Sequence, residues 1–193
     1  MSILALTSDT LIGTPATGNI EYNGQFYGTD SNASRAQMQR IAQGTAVAST
    51  SGTSIDFTAL PAWAKKITVA FNGVSTNGTS IIQLQLGTGS TSYTTSGYVG
   101  GAWFANTTNL TVTTGLPISA SGAAARIYSG IMTLTNMGSN MWAGAGTFFD
   151  TSQNASIGAS AVTLGAALTA VRITTVNGTD TFDAGSINIL YEG

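Results

Sequence analysis

Lys65–Gly73 reads KKITVAFNG, with Ile67, Val69 and Phe71 alternating against Lys66, Thr68 and Ala70. A period of two puts these sets on opposite faces of a strand. Asn77–Gly78 then turns the chain, and Ser80–Leu86 repeats the alternation, with Ile82, Leu84 and Leu86 opposing Gln83 and Gln85. The two segments together predict an antiparallel hairpin with one buried face. Further strand-like blocks follow at Tyr98–Phe104, Asn109–Thr113, Arg126–Leu134, Asn140–Phe149, Ser156–Leu164, Ala167–Val176 and Ser186–Tyr191. Upstream, Ala46–Ser51 and Ser54–Phe57 alternate as well, until Pro61 interrupts. No helix-length segment separates these blocks, as a parallel βαβ arrangement would require. The pattern predicts an all-β protein, an antiparallel β-sandwich of the jelly-roll kind, over residues 44–193.

Residues 1–43 read differently. Asn19–Tyr22 and Gln25–Tyr27 flank Asn23–Gly24, a short-hairpin signal. Asn32–Ala42 is the best helix candidate, with Ser34 as its cap and Met38 and Ile41 on one face. A lone hairpin makes no stable core. This extended arm must therefore attach to something, and its apolar residues Ile3, Leu4, Leu6, Ile20, Tyr22, Phe26 and Tyr27 are the attachment candidates.

Composition sharpens the picture. Charged residues are 7% of the 193, against about 25% in a typical globular chain. Thr, Ser, Asn and Gly fill the polar positions instead, which suits strands and turns and disfavours helices. The net charge is −2, and Lys65–Lys66 is an isolated basic pair, so nucleic acid is not an expected partner. No apolar run has the length of a membrane-spanning helix, so no membrane insertion is expected. Met1–Leu6 is too short for a secretory signal. The Asn-x-Ser/Thr triplets are read as turn chemistry.

Catalytic equipment is thin. Cys and His are both absent, which removes thiol nucleophiles, thiolate metal sites and the commonest general base. Asp180 and Asp183 are close in sequence but read as turn caps, and Asp56 as a solvent-facing strand residue. We expect no enzymatic activity, no metal and no cofactor. The candidates for surface recognition are aromatic: Tyr93 and Tyr98 with Trp103 and Trp142. For the two tryptophans, core or subunit interface is the competing role. Sparse charge also suits subunit contacts, because Lys and Glu are depleted at buried interfaces.

Two blocks carry a family likeness. Gly13–Tyr27 (GTPATGNIEYNGQFY) resembles a linker of bacteriophage tail-fibre and other virion proteins, and Ser51–Gly78 resembles the start of their C-terminal β-sandwich domain. Within the second block the matching positions include Ile55, Asp56, Phe57, Pro61, Trp63, Ile67, Val69, Phe71 and Gly73. The resemblance implies a virion structural protein, a short tail-fibre or appendage contributing to host-surface recognition. A head fibre or capsid decoration protein is the alternative. It also implies a homo-oligomer, usually a trimer, with other virion proteins and a host polysaccharide or outer-membrane receptor as partners. The loops Gly87–Gly97 and Gly115–Ala124 are the expected receptor-facing segments.

Overall fold

The computed structural model describes residues 10–11, 13–14, 16–23, 25–105 and 109–193. They fall into two compact units that divide between Arg40 and Ile41. The first is a small antiparallel sheet of β1 (Ile20–Tyr22), β2 (Phe26–Thr29) and β3 (Arg35–Gln37). The expected hairpin forms, with Tyr22 opposite Phe26 and their rings 5.0 Å apart. The expected helix over Asn32–Ala42 does not. Asp30 Oδ1 accepts the amide protons of Asn32 and Ser34, a side-chain turn that redirects the chain into β3. Arg35 then reaches across the sheet to the buried Glu21 at 2.7 Å.

The second unit holds β4 (Ile41–Gln43), β5 (Val47–Ala48), β6 (Ser54–Phe57), β7 (Lys66–Thr76), β8 (Ile82–Gly87), β9 (Val99–Phe104) and β10 (Leu110–Thr111). It continues with β11 (Leu116–Pro117), β12 (Tyr128–Gly138), β13 (Met141–Asp150), β14 (Ala155–Thr163), β15 (Ala170–Thr175) and β16 (Phe182–Glu192). A nine-stranded antiparallel sheet has the order β10-β9-β14-β13-β12-β7-β16-β4, with β5 also on β16. A four-stranded sheet has the order β11-β8-β15-β6. Together they form a sandwich-like all-β arrangement around one core. The large sheet contributes Ile67, Val69 and Phe71 from β7, Met132 and Leu134 from β12, and Ile187 and Ile189 from β16. The small sheet contributes Ile55, Leu84, Leu86, Val171 and Ile173. Phe71 and Phe148 meet edge to face at 5.3 Å, a favoured ring geometry.

β7 buries the three residues its alternation predicts, yet its partner is not β8. β7 pairs with β12 and β16, while the chain crosses to the other layer and β8 pairs with β11 and β15. Gln83 and Gln85, expected in solvent, are consequently buried. The segment before β11 covers them. Gln85 Nε2 donates to the Thr114 carbonyl at 3.0 Å, and Thr114 Oγ1 donates to Gln83 Oε1 at 2.9 Å. Both amides thus have partners, as buried polar groups require.

The layers approach closely where β11 crosses β14. A Cβ at Gly158 would collide with the Pro117 carbonyl. Next to it Ser156 Oγ donates to the Ile118 carbonyl at 3.0 Å. Gly158→Val should lower the urea midpoint by the equivalent of roughly 1–3 kcal/mol or more, the usual cost of overpacking. Gly165→Ala, in open space, should change stability by less than about 0.5 kcal/mol. Equal midpoints for the two variants would contradict this account of the crossing.

Candidate interaction surface

Strict alternation gives the nine-stranded sheet a second face, turned away from the core. Trp103 on β9 stands beside Ile157 on β14, Ile157 beside Thr147 on β13, Thr147 beside Ile131 on β12, and Ile131 beside Ala70 on β7. The next row on this face is Gly101, Ala159, Ala145, Thr133 and Thr68. A third is Val99, Ala161, Ala143, Thr135 and Lys66. Across β9, β14, β13 and β12 this outer face carries no charged side chain. At its far end Lys66 pairs with Glu192 at 2.8 Å.

Large apolar side chains stand in solvent here. Val99 is 78% exposed, Phe149 59%, Ile157 48% and Ile131 47%, with Trp103 and Met141 at 41%. Isolated exposed apolar residues are ordinary, but a contiguous patch on one sheet face marks an interaction site. The patch has relief. Trp103, Ile157, Ile131 and Phe149 form a ridge at one end of the strands. Beside it Gly101, Ala143, Ala145, Ala159 and Ala161 floor a trough, with Val99 closing its second row at β9 and Met141 standing in the row beyond. A hollow of about 380 Å³ lies against Trp103, Ile157 and Ala159, and a smaller one against Val99, Met141 and Ala161.

The aromatic candidates separate in the structure. Trp103 lies on the exposed face. Trp142, its side chain turned to the opposite face of the same sheet, is core, and Tyr98 is buried too; neither is on the receptor-facing surface expected of it. The reason is parity and packing: Trp142 falls on an inward position of β13, and Tyr98 enters the core just before β9. Its phenol oxygen accepts the Leu86 amide proton at 2.8 Å. Tyr93 is half-buried on the outer side of the small sheet. The Arg172 guanidinium lies 4.1 Å from its ring centre and forks onto Asp56 at 2.8 and 2.7 Å. Burial and the nearby Asp56 raise the Tyr93 phenol above its ordinary value, and the Asp56 hydrogen bonds raise Arg172 likewise. Ser90, Thr91 and Ser92 beside Tyr93 expose their hydroxyls. Gly115–Ala124, expected as a second free loop, instead packs down: Leu116, Ile118 and Ser119 are buried, and Gly122 lies against the Ser80 carbonyl.

Of the attachment candidates, Ile20 and Phe26 are exposed, while Tyr22 and Tyr27 are half-buried. Ile3, Leu4 and Leu6 lie outside the described residues. Val99, Ile131, Met141, Phe149 and Ile157 are surface residues that the sequence reading misses. Their signal is present as apolar residues at alternate positions of β9, β12, β13 and β14, but small inward residues such as Gly144, Gly146 and Gly158 hide which parity faces the core.

The described carboxylates are committed to structural partners. Asp150 accepts the amide protons of Ser152 and Asn154 and lies 3.5 Å from Arg126. Asp180 accepts the Ser80 amide proton at 2.8 Å, and Asp183 accepts the Ser75 hydroxyl. Asp180 caps a backbone amide as expected, whereas Asp183 lies within β16 and accepts a side-chain hydroxyl instead of capping a turn. No family model, curated protein or solved structure matches the chain.

Burial pushes the Tyr98 phenol up to about 12 from 10.0. The unfolded chain therefore ionises first. The neutral form stabilises the fold fully below pH 10, and that contribution is lost as pH rises toward 12. Stability should fall by about 2–3 kcal/mol across this window from Tyr98. Tyr98→Phe, measured by urea unfolding at several pH values, should show a shallower decline. An unchanged slope would contradict the assignment.

Proposed function

We propose that this protein is a structural component of a bacteriophage virion, a short tail-fibre or appendage protein that contributes to host-surface recognition. The observation that carries the reading is the broad, uncharged outer face of the nine-stranded sheet, a surface suited to contact with protein rather than to chemistry. The resemblance of Gly13–Tyr27 and Ser51–Gly78 to virion proteins supplies the setting. In this reading the chain works as a homo-oligomer, with three copies as the resemblance implies, and the arm attaches it to neighbouring virion proteins.

The strand order supports a jelly-roll origin for the sandwich. The chain visits the small sheet with β6, β8, β11 and β15 and the large one with β7, β9, β10 and β16 between them. The β12-β13-β14 meander then occupies the place of a single strand. Such a sandwich presents its loops at the ends, where recognition usually resides. The segment of Tyr93 with Ser90, Thr91 and Ser92 is the receptor-contacting element in this reading, held in shape by Arg172 and Asp56.

Antibody against the chain should label the tail end of intact particles in electron micrographs. Purified protein should bind host cells or their surface polysaccharide. Arg172→Ala, which unclamps Tyr93, should weaken that binding roughly two- to tenfold while the chain stays folded. Labelling on the capsid with no host binding would replace this role with head decoration. Polysaccharide shortened on incubation would replace it with an enzymatic one.

A further inference from the structure

We infer that the outer face of the nine-stranded sheet is covered, in the working protein, by the same face of another copy of this chain. The inference rests on the proposed role as an assembly component and names the partner that the face fits.

Charge is the first argument. A foreign partner is normally selected by complementary charges, which also set register and orientation. This face offers none from β9 to β12, and its Lys66 is already matched by Glu192 of the same chain. An uncharged face meets its own copy without repulsion, and sparse charge runs through the whole molecule, at 7% of residues.

Relief is the second. The ridge of Trp103, Ile157, Ile131 and Phe149 and the trough floored by alanines and Gly101 lie side by side on the same strands. A copy turned end for end about an axis across the strands sets its ridge over the first copy's trough. The reciprocal contact forms by symmetry, as in any isologous interface. A threefold axis does not set two flat faces opposite one another, so this contact is a twofold one and a threefold assembly would add contacts elsewhere on the chain. The hollow beside Trp103, at about 380 Å³, is a shallow, open depression that extends the relief towards the β9–β10 edge.

Area is the third. The five adjacent strands β9, β14, β13, β12 and β7 at about 4.8 Å spacing, each contributing roughly six residues at about 3.3 Å, present on the order of 450–500 Å². That is somewhat over half of the roughly 800 Å² per partner of a standard-size protein interface, an area suited to a modest self-association. Left open, a flat apolar sheet face of this extent would promote uncontrolled association.

The test uses the full chain. Analytical ultracentrifugation of the wild type at micromolar concentration should give at least twice the 19.6 kDa protomer mass. Ile157→Lys combined with Ile131→Lys should shift it to the protomer mass, with an unchanged β-type circular dichroism spectrum. Ser90→Lys, on the exposed loop, should leave the mass unaltered. Because the chain lacks cysteine, Ala145→Cys places a single reporter thiol in the trough. Facing the other copy's ridge, that thiol should be protected from a bulky reagent in the assembled protein and react in the double-lysine background. A monomeric wild type overturns the inference, as does an oligomer whose mass the folded double-lysine variant retains. Equal reactivity of the Ala145→Cys thiol in both backgrounds overturns it too. Particle labelling with a monomeric protein would sink this inference and spare the virion role. Oligomerisation through this face without particle association would do the reverse.

Discussion

The structure depends on one constraint, the period-two alternation of the long strands β7, β12, β13, β14 and β16 held in register across a single sheet. One residue of slip would send every core side chain of a strand to solvent. The inward set of Ile67, Val69, Phe71, Met132, Leu134, Ile187 and Ile189 locks that register against the small sheet. The outward set follows without further choice. The same register that builds the core therefore lines up Trp103, Ile157, Thr147 and Ile131 on the opposite side. The core and the exposed outer face share one cause.

The polar groups serve the same architecture. Gln83 and Gln85 are tied to Thr114, Tyr98 to Leu86, Asp180 to Ser80, and Asp56 to Arg172. With few Lys and Glu to decorate the outside, solubility falls to hydroxyls and amides on loops such as Ser90–Ser92. The broad face of the large sheet is left to alanine, threonine and exposed apolar side chains. That division separates polar loops from an exposed apolar sheet face.

Much of this is legible where strands carry large residues at every second position. β7 reads correctly from Lys65–Gly73, and the hairpin of β1 and β2 from Asn23–Gly24. Legibility fails where the deciding information lies elsewhere in the chain. The partner of β7 cannot be read locally, because the connection to β8 crosses between layers. Gln83 and Gln85 look solvent-facing until Thr114 covers them. The expected helix over Asn32–Ala42 loses to a side-chain turn at Asp30 and a cross-strand Arg35–Glu21 pair. Between Gly100 and Val162 the inward positions of β13 and β14 include Gly144, Gly146 and Gly158, small because β11 and neighbouring side chains press on them. Burial there carries no hydrophobic signature, so the sequence does not sort Trp142 and Trp103 between core and surface.

Hydroxyl-radical footprinting read by mass spectrometry reports each face of one strand separately. Trp103, Ile131, Phe149 and Ile157 should be oxidised in chains dissociated by dilution and protected in the concentrated protein. Met132, Trp142 and Phe148 on the opposite face should stay protected in both. Oxidation of the second set in the folded chain, or unchanged reactivity of the first set on assembly, would contradict this assignment of the two faces.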